Sequence, residues 1–315
     1  MNTSPRESVR SNDHLSEELK HHLKEFAQAD NRMAFVQLGM TLLAYTLALL
    51  LFALGWWPIA IALTVGIQIR MFVIFHDAIH RAFFQKSAWN EKLARWLQVL
   101  TLTPLGSWRM NHLAHHQHMG DLDYKDIADT IFFTRSQYEA FPVTKRWFWR
   151  VVRSPVVFFT VVPAYQWAIE YALILGNRWI WLGWALQLSI AWWISPWYLL
   201  AFYLTTIAGF GLFHLQHAIT PGYRKTKQGW SKEQAAIEGS TWLRLPAPFR
   251  WFTMGIEYHH VHHLMPSIPG YRLAQCHREA PSGSWDRVTQ GRLGNSLHAL
   301  THVMWDERTN DFARF

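Results

Sequence analysis

"MAFVQLGMTLLAYTLALLLFAL", residues 33–54, contains no charged side chain along its whole length. A helix needs about 20 predominantly apolar residues to cross the hydrocarbon core of a bilayer, so this stretch predicts a membrane-spanning helix. "WWPIAIALTVGIQIRMFVIF", residues 56–75, follows after a very short turn and predicts a second span. Its single charge, Arg70, lies near the end of the run, where a long side chain is expected to extend to the interface.

The apolar run from Trp179 to Phe213 is too long for one span. Pro196 lacks a backbone N–H and interrupts a helix, so the run divides into spans 179–195 and 196–213. Four spans are expected, arranged as two tight hairpins. Residues 155–175 are also apolar but include Glu170 and two prolines. A helix lying in the interface is expected there, since a fifth span would move the C-terminal region across the membrane.

The charge pattern predicts the orientation. The net charge is +8, and the basic residues lie beside apolar and aromatic segments, as in "TKRWFWRVVRSP", residues 144–155. This pattern favours contact with anionic lipid headgroups over binding of nucleic acid. Neither predicted hairpin tip carries Lys or Arg, so the positive-inside rule puts the N-terminal segment 1–32 and the regions 76–154 and 214–315 in the cytoplasm. Residues 33–315 are expected to form a single domain.

Composition also limits the kind of site. With 19 Trp and 20 Phe, the chain is rich in the aromatic residues that form belts at membrane interfaces. Cys276 is the only cysteine, which excludes a disulfide framework and a thiolate metal site.

Histidines form three dense clusters: "HDAIH" at 76–80, "HLAHH" at 112–116 and "HHVHH" at 259–263. On a helix, residues three or four apart lie on one face, so their imidazoles can converge on one or two metal ions. A thinner cluster, "FHLQH" at 213–217, contributes His214 and His217. The clusters at 76–80 and 213–217 begin where predicted spans end on the cytoplasmic side. All four clusters can therefore meet there.

The donor types narrow the choice of metal. Without cysteine ligands, structural zinc and iron–sulfur sites are disfavoured, whereas imidazole suits zinc, copper, iron and nickel. About nine histidines are enough for two ions with coordination positions left open. Two iron ions are favoured; two zinc ions or copper also satisfy the pattern.

With these three clusters the sequence resembles the membrane fatty acid desaturases, whose three histidine boxes are HxxxH, HxxHH and HxxHH. It is most similar to the acyl-lipid desaturases of the delta-12 and omega-3 type from bacteria, cyanobacteria and plastids. The likeness extends to "PLGSWRMNHLAHHQH", to "GSTWLRLPAPFRWFTMGIEYHHVHHLMPSIPGYRL" and to "LHALTHVMWDER", and covers most of residues 70–310.

The resemblance implies an all-α integral membrane protein, with four transmembrane helices as two hairpins and a cytoplasmic helical cap that carries the site. It implies an oxidoreductase of the bacterial inner membrane that removes two hydrogens from a fatty acyl chain with oxygen at a non-haem di-iron centre. The acyl group would be attached to a lipid, coenzyme A or an acyl carrier protein. No cytochrome b5 domain is fused to the chain, so a separate ferredoxin-like or cytochrome donor would supply electrons.

Carried over by position, the resemblance implies nine metal ligands, the last of which follows Gln216. They are His76, His80, His112, His115, His116, His217, His259, His262 and His263.

Other residues are expected near the metal or the substrate. Asp77, His214, Gln216 and Glu257 adjoin these ligands or lie among the clusters and are candidates to orient the imidazoles. His118 and His260 fall outside the box pattern and are not expected to be ligands. The bulky side chains close to the boxes are expected to line an acyl tunnel: Trp108, Trp251, Phe252 and Tyr258. Glu257 occupies a position where the subgroup more often has a small residue, a departure that bears on the acyl carrier.

Three alternatives follow from the same residues. A hydroxylase, ketolase, epoxygenase or acetylenase can use the same boxes on an acyl or other lipid chain. A metal-handling membrane protein would bind its metal near the bilayer midplane, but the predicted spans contain no histidine. A zinc hydrolase would work without oxygen or a reductant.

Overall fold

The computed structural model describes residues 15–124 and 132–315 of the chain. Predicted features that involve residues 1–14 and 125–131, within the N-terminal segment 1–32 and the region 76–154, lie outside the described residues. Within the described ranges the chain is mostly helical. The helices are α1 Glu17–Phe26, α2 Asn31–Ala53, α3 Trp57–Ile79, α4 Ser87–Thr101, α5 Leu105–His118, α6 Arg135–Glu139, α7 Val143–Val152, α8 Val157–Ile174, α9 Arg178–Trp193, α10 Trp197–His217, α11 Lys232–Glu238, α12 Ala247–Thr253, α13 His259–Leu264, α14 Gly270–Glu279 and α15 Leu293–Ala299.

Short strands accompany the helices, which the all-α prediction did not include. They are β1 Phe133–Thr134, β2 Thr241–Leu243, β3 Thr289–Gly291, β4 Met304–Asp306 and β5 Asp311–Ala313. β1 pairs in parallel with β4, which pairs antiparallel with β5, and β2 pairs in parallel with β3. Strands of two or three residues are too short to show a two-residue alternation in the sequence, so no sequence pattern predicted them.

Four described helices are long and apolar enough to cross a membrane: α2, α3, α8 and α10. Three of them coincide with predicted spans. The fourth, α8, is the segment expected to lie in the interface, and it contains π-helical turns on both sides of Val162–Tyr165. α9 has 16 residues and is about 24 Å long, shorter than the roughly 30 Å hydrocarbon core. The division of roles between α8 and α9 therefore stays a prediction.

The connections α2–α3 and α9–α10 meet at one end of the helices. Trp57 and Trp197 stack there with ring centroids 5.5 Å apart, and Trp192 and Trp193 leave more than four-fifths of their surface exposed. Exposed tryptophan is typical of a membrane–water boundary. The opposite end, where α3 and α10 reach their histidines, is called the histidine end below.

Arg70 does not extend to the interface as expected. It is 1% exposed in α3 and donates hydrogen bonds to Thr41 Oγ1 of α2 at 2.8 Å, to Gln37 Oε1 and to the Trp251 carbonyl. Its guanidinium also lies 4.3 Å from the centre of the Trp251 indole. The side chain is buried because neutral acceptors satisfy it, and it joins α2, α3 and the α12 region.

At the histidine end, short helices pack around the end of α3. α1 buries Leu19 and Leu23 in a core that also contains Val261 of α13 and Leu273 of α14. α3 and α10 continue beyond the predicted span ends, Phe75 and Phe213, so box histidines lie on the last turns of long helices. This core fixes α13 against α3.

α4 runs back from the histidine end between α3 and α9. Gln187 of α9 donates a hydrogen bond to the Leu100 carbonyl at 3.0 Å. A Cβ atom at Gly183 would lie 2.5 Å from the Val99 carbonyl oxygen, so only glycine permits this close approach of the two backbones. α5 then returns to the histidine end and brings the second histidine cluster with it.

Candidate metal centre

Nine histidines are gathered into two groups at the histidine end. Within each group, every residue offers a ring nitrogen within 4.8 Å of the others, and all of the residues except His80 are fully buried. The five-histidine group consists of His76, His80, His112, His116 and His262. The four-histidine group consists of His115, His217, His259 and His263. These are the nine histidines singled out by the sequence.

The two HxxHH boxes are shared between the groups. In α5, His112 and His116 lie four residues apart and point into the five-histidine group, whereas His115 points into the other. α13 does the reverse: His259 and His263 point into the four-histidine group and His262 into the five-histidine group. Residues four apart share a helix face, and the intervening residue is rotated away from it. Each box helix therefore lies between the two groups.

The Nε2 atoms approach one another too closely and too often for hydrogen bonds alone. His112 Nε2 lies 2.9 Å from His80 Nε2 and 3.1 Å from His116 Nε2, which is itself 3.0 Å from His262 Nε2. The single N–H of a neutral imidazole cannot form hydrogen bonds to two neighbouring Nε2 atoms at once. Two nitrogens about 2.1 Å from one ion and at right angles to each other would be about 3.0 Å apart, as in octahedral coordination. The spacing fits a shared metal ion.

The four-histidine group repeats this spacing. His217 Nε2 lies 3.1 Å from His115 Nε2 and 2.9 Å from His259 Nε2, and His263 Nε2 lies 3.1 Å from His259 Nε2. Each group thus fits one ion.

The second ring nitrogens have partners typical of metal-bound histidine. His76 Nδ1 lies 3.4 Å from Asp77 Oδ1, and His217 Nδ1 lies 3.3 Å from the Gly239 carbonyl oxygen. Such contacts fix the tautomer that leaves Nε2 free to bind a metal. His76 Nε2 is buried and has no hydrogen-bond partner among the described residues. A metal ion would satisfy it.

Burial favours the uncharged form of six of the grouped histidines. Burial, and then the charge of neighbouring imidazoles, places the pKa of these side chains well below the ordinary histidine value. Neutral imidazole is the form that binds metal. The affected residues are His80, His112, His116, His259, His262 and His263.

The four predicted neighbours of the ligands have different surroundings. Asp77 accepts a hydrogen bond from the Gly270 N–H at 2.7 Å and so joins α3 to α14 behind His76. Gln216 donates to the Ile256 carbonyl at 2.9 Å. Glu257 accepts from the Thr253 hydroxyl at 2.6 Å, and burial raises its pKa. His214 lies outside both groups, with Nε2 3.1 Å from the Ala299 carbonyl oxygen.

His118 and His260 also lie outside both groups, as the sequence led us to expect. His118 stacks on Tyr124 with ring centroids 3.7 Å apart. His260 is buried and faces His277.

A cavity of about 420 Å³ extends from the two groups between α3, α5, α8 and α10. Its wall contains His76 and His112 of the five-histidine group and His115 and His259 of the four-histidine group. The remaining lining is mainly apolar and aromatic, a composition typical of small-molecule sites. One apolar space thus reaches both groups of histidines.

Of the four predicted tunnel residues, Trp108 lines this cavity and stacks on His112 with ring centroids 4.4 Å apart. The structure places the other three elsewhere. Trp251 packs on the Arg70 guanidinium, Phe252 packs against Gly66 of α3, and Tyr258 stacks on Trp242. They lie near a box in sequence, but none of the three lines the cavity.

Several cavity residues were not identified from the sequence. Gly209 of α10 lines the wall at a point where a Cβ atom would meet nothing within 4 Å. α8 contributes Gln166 and Glu170, polar residues four apart in an apolar segment. The four-residue spacing of Gln166 and Glu170 could have indicated, from the sequence, a polar face on this helix.

A family model described as fatty acid desaturase matches residues 52–284. A fatty acid desaturase of Bacillus subtilis is 31% identical to the chain, over 96% of the chain and 91% of the relative. An sn-1 oleoyl-lipid 12-desaturase of Anabaena variabilis is 24% identical, over 90% of the chain and 83% of the relative. A human sphingolipid delta(4)-desaturase/C4-monooxygenase is 26% identical, also over 90% and 83%.

Proposed function

The chain belongs to the fatty acid desaturase family, and we propose that it uses oxygen to introduce a double bond into a fatty acyl chain at two iron ions held by its nine grouped histidines. Members of this family are oxidoreductases. The observation that carries the proposal is the cavity whose wall includes His76 and His112 of one group and His115 and His259 of the other. An acyl chain in this cavity would lie beside both proposed ions.

The choice of iron rests on the reaction. Amino-acid side chains cannot cleave an unactivated C–H bond. The bound irons, together with oxygen, would supply this chemistry. Zinc has no redox chemistry, so a di-zinc site would not support it. The nitrogen-only donor set and the two groups of histidines support a pair of imidazole-bound ions.

The overall reaction balances as R–CH₂–CH₂–R′ + O₂ + 2 e⁻ + 2 H⁺ → R–CH=CH–R′ + 2 H₂O. The substrate gives up two hydrogens, and two further electrons come from a donor. We propose a separate ferredoxin-like or cytochrome protein as that donor.

The protein's own residues position and shield the reactants. The grouped imidazoles would hold the ions, with the rings of His76 and His217 fixed by Asp77 and the Gly239 carbonyl. The apolar wall around Phe72 and Phe213 would hold the methylene chain and exclude water from it. Trp108, stacked on His112, would support that imidazole from the cavity side.

We place the histidine end in the cytoplasm and the protein in the bacterial inner membrane. The opposite end carries exposed tryptophans and no Lys or Arg in its two connections, whereas the basic segments lie toward the histidine end. The 31% identity to a Bacillus subtilis protein supports a bacterial membrane.

Expression in a bacterial host that lacks polyunsaturated lipids tests the function. We expect new unsaturated acyl chains in the membrane lipids, located by mass spectrometry after derivatisation of the double bonds. The control is a His263→Ala variant produced at the same level. Absence of any new acyl species from an iron-loaded, membrane-inserted protein, with a working electron donor present, would contradict the proposal.

Monooxygenation is the second candidate, because one relative is named both desaturase and C4-monooxygenase. The same mass spectra separate the two outcomes. Desaturation removes two hydrogens from the chain, whereas hydroxylation adds one oxygen.

A further inference from the structure

A second pair of histidines lies outside both metal groups. His260 Nε2 is 2.9 Å from His277 Nδ1, which joins α13 to α14. His260 is fully buried, whereas His277 is partly exposed. Burial, and then the nearby charge of Arg278, lowers the pKa of His277 to about 4.

Three aromatic side chains surround this pair. Trp285 stacks on His277 with ring centroids 5.4 Å apart and lies 4.8 Å from the His260 ring. Trp242 and Tyr258 lie 4.5 and 4.7 Å from His277 and stack on each other. The five residues, Trp242, Tyr258, His260, His277 and Trp285, are called the ring cluster below.

The ring cluster connects the protein surface to the metal groups. Trp242, His277 and Trp285 are partly exposed. His260 lies between His259 and His262 on α13, and these two histidines belong to different metal groups. A continuous series of ring contacts therefore leads from the surface to α13, which contributes histidines to both groups.

Two arginines lie beside the exposed rings. Arg244 lies over Trp242, with its guanidinium 4.8 Å from the ring centre, and the Arg278 charge acts on His277. Neither arginine forms an ion pair within residues 15–124 and 132–315. Three carboxylates are also close in sequence or space: Glu238 forms an ion pair with Arg287 at 2.9 Å, Glu279 accepts a hydrogen bond from Gln275 at 3.0 Å, and Asp286, next to Trp285, is exposed.

We propose that a small acidic one-electron carrier protein docks on the ring cluster between Arg244 and Arg278, and that its electrons enter through Trp285 and His277. This inference rests on the proposed function, in which two electrons must reach the metal groups from outside the substrate. The arginines would attract the acidic partner and orient it. Electrons would then tunnel one at a time through the stacked rings toward α13 and reduce the proposed metal ions, with two one-electron oxidations of the carrier for each double bond formed.

The first test measures docking by binding, with a reduced plant-type ferredoxin as the probe and the full-length, metal-loaded protein in lipid nanodiscs. We expect the double variant Arg244→Glu/Arg278→Glu to weaken ferredoxin binding about tenfold or more at low salt. The control, Lys227→Glu, changes the charge of an exposed side chain between α10 and α11 and should alter the Kd less than about twofold. Equal affinity of the double variant and the control would overturn the docking site.

The second test separates electron entry from structural effects. In stopped-flow measurements at saturating ferredoxin, Trp285→Leu should slow reduction of the metal centre about tenfold relative to the wild type and to Trp285→Phe, which keeps an aromatic ring. Reduction by dithionite, a small reductant that needs no docking, should be unchanged in all three proteins. A Trp285→Leu variant that is equally fast with ferredoxin, or slowed equally with both reductants, would contradict the route.

Failure of this inference differs from failure of the proposed function. If the double bond forms but neither set of variants changes ferredoxin binding or reduction, the docking site alone is wrong. If no double bond forms with ferredoxin or with dithionite, the proposed function is wrong.

Discussion

His116 and His263 stack face to face, with ring centroids 4.2 Å apart and planes 24° apart, although they belong to different histidine groups. Each residue is the last histidine of its HxxHH box. The two groups are thus in direct contact through these rings, and loss of either ring should disturb both groups.

His116→Ala tests this contact. The variant removes one Nε2 from the five-histidine group and the stacking partner of His263. We expect loss of at least one metal ion per chain, measured by elemental analysis. We also expect product to fall by at least about 100-fold, since loss of a group that only hydrogen-bonds to a ligand already costs roughly 10- to 100-fold. The matched control, His118→Ala, removes a histidine of the same helix end that lies outside both groups, and it should keep its metal and activity. Full metal content in His116→Ala would show that His116 is not a ligand.

Gly209→Leu tests the cavity as the acyl site. A Cβ atom at this position meets nothing within 4 Å, so a leucine side chain would begin in open space and extend into the cavity. Because leucine favours helix more than glycine does, the fold should not be weakened. We expect turnover of the acyl substrate to fall about tenfold or more, equivalent to about 1.4 kcal/mol in the barrier. Gly39→Leu, on the exposed side of α2 with equally open space, should be fully active. Normal turnover in Gly209→Leu would exclude this cavity as the path of the chain.

Tyr198→Phe tests the polar contacts beneath the cavity. The Tyr198 hydroxyl contacts Tyr45 at 2.6 Å, accepts from Gln68 at 3.1 Å and donates to Gln187. Removing it leaves buried amide groups unpaired, which costs about 1–3 kcal/mol. We expect a lower thermal unfolding midpoint in detergent. Tyr203→Phe removes a hydroxyl from an exposed ring of the same helix and should unfold close to the wild-type midpoint. Equal midpoints for the two variants would show that the contacts beneath the cavity contribute little.

Asp306→Asn tests an ion-pair site in the C-terminal sheet. Hydrogen bonds from Arg308 first, and from Arg135, lower the pKa of Asp306 to about 2. A depressed carboxyl pKa stabilises the folded state above the unfolded value of about 3.8, and this contribution is lost as the pH falls toward 2. We therefore expect Asp306→Asn to unfold at a lower temperature than the wild type at pH 6, with the difference shrinking below about pH 4. Asp286→Asn makes the same change of charge at an exposed carboxylate and should show little difference at either pH. A gap that is constant with pH would contradict this assignment.

The gathering of the histidines was largely predictable because their spacing is a local property of a helix. The i, i+3 and i, i+4 intervals of His112, His115 and His116 are visible in the sequence, and α5 forms as the spacing requires. What spacing could not give is the assignment of each imidazole to a group. That depends on how α5 and α13 are rotated against each other, which is set by packing of distant segments such as α14 and α1.

The cavity was less predictable for a related reason. Trp108 lies four residues before His112 and Trp251 eight residues before His259, yet Trp108 lines the cavity and Trp251 packs on the Arg70 guanidinium. Proximity in sequence gives the distance of a residue from the box but not the direction of its side chain. No sequence pattern indicated that Gly209 lines the cavity, because this residue contributes only the space left by its missing side chain.

The sharing of α5 and α13 between the two groups has a consequence for synthesis of the protein. The five-histidine group needs His262 and the four-histidine group needs His259 and His263, and all three follow α10, the last of the long helices, in the chain. A growing polypeptide therefore cannot complete either group until every long helix has been made. The proposed ions would be acquired only after that point in synthesis.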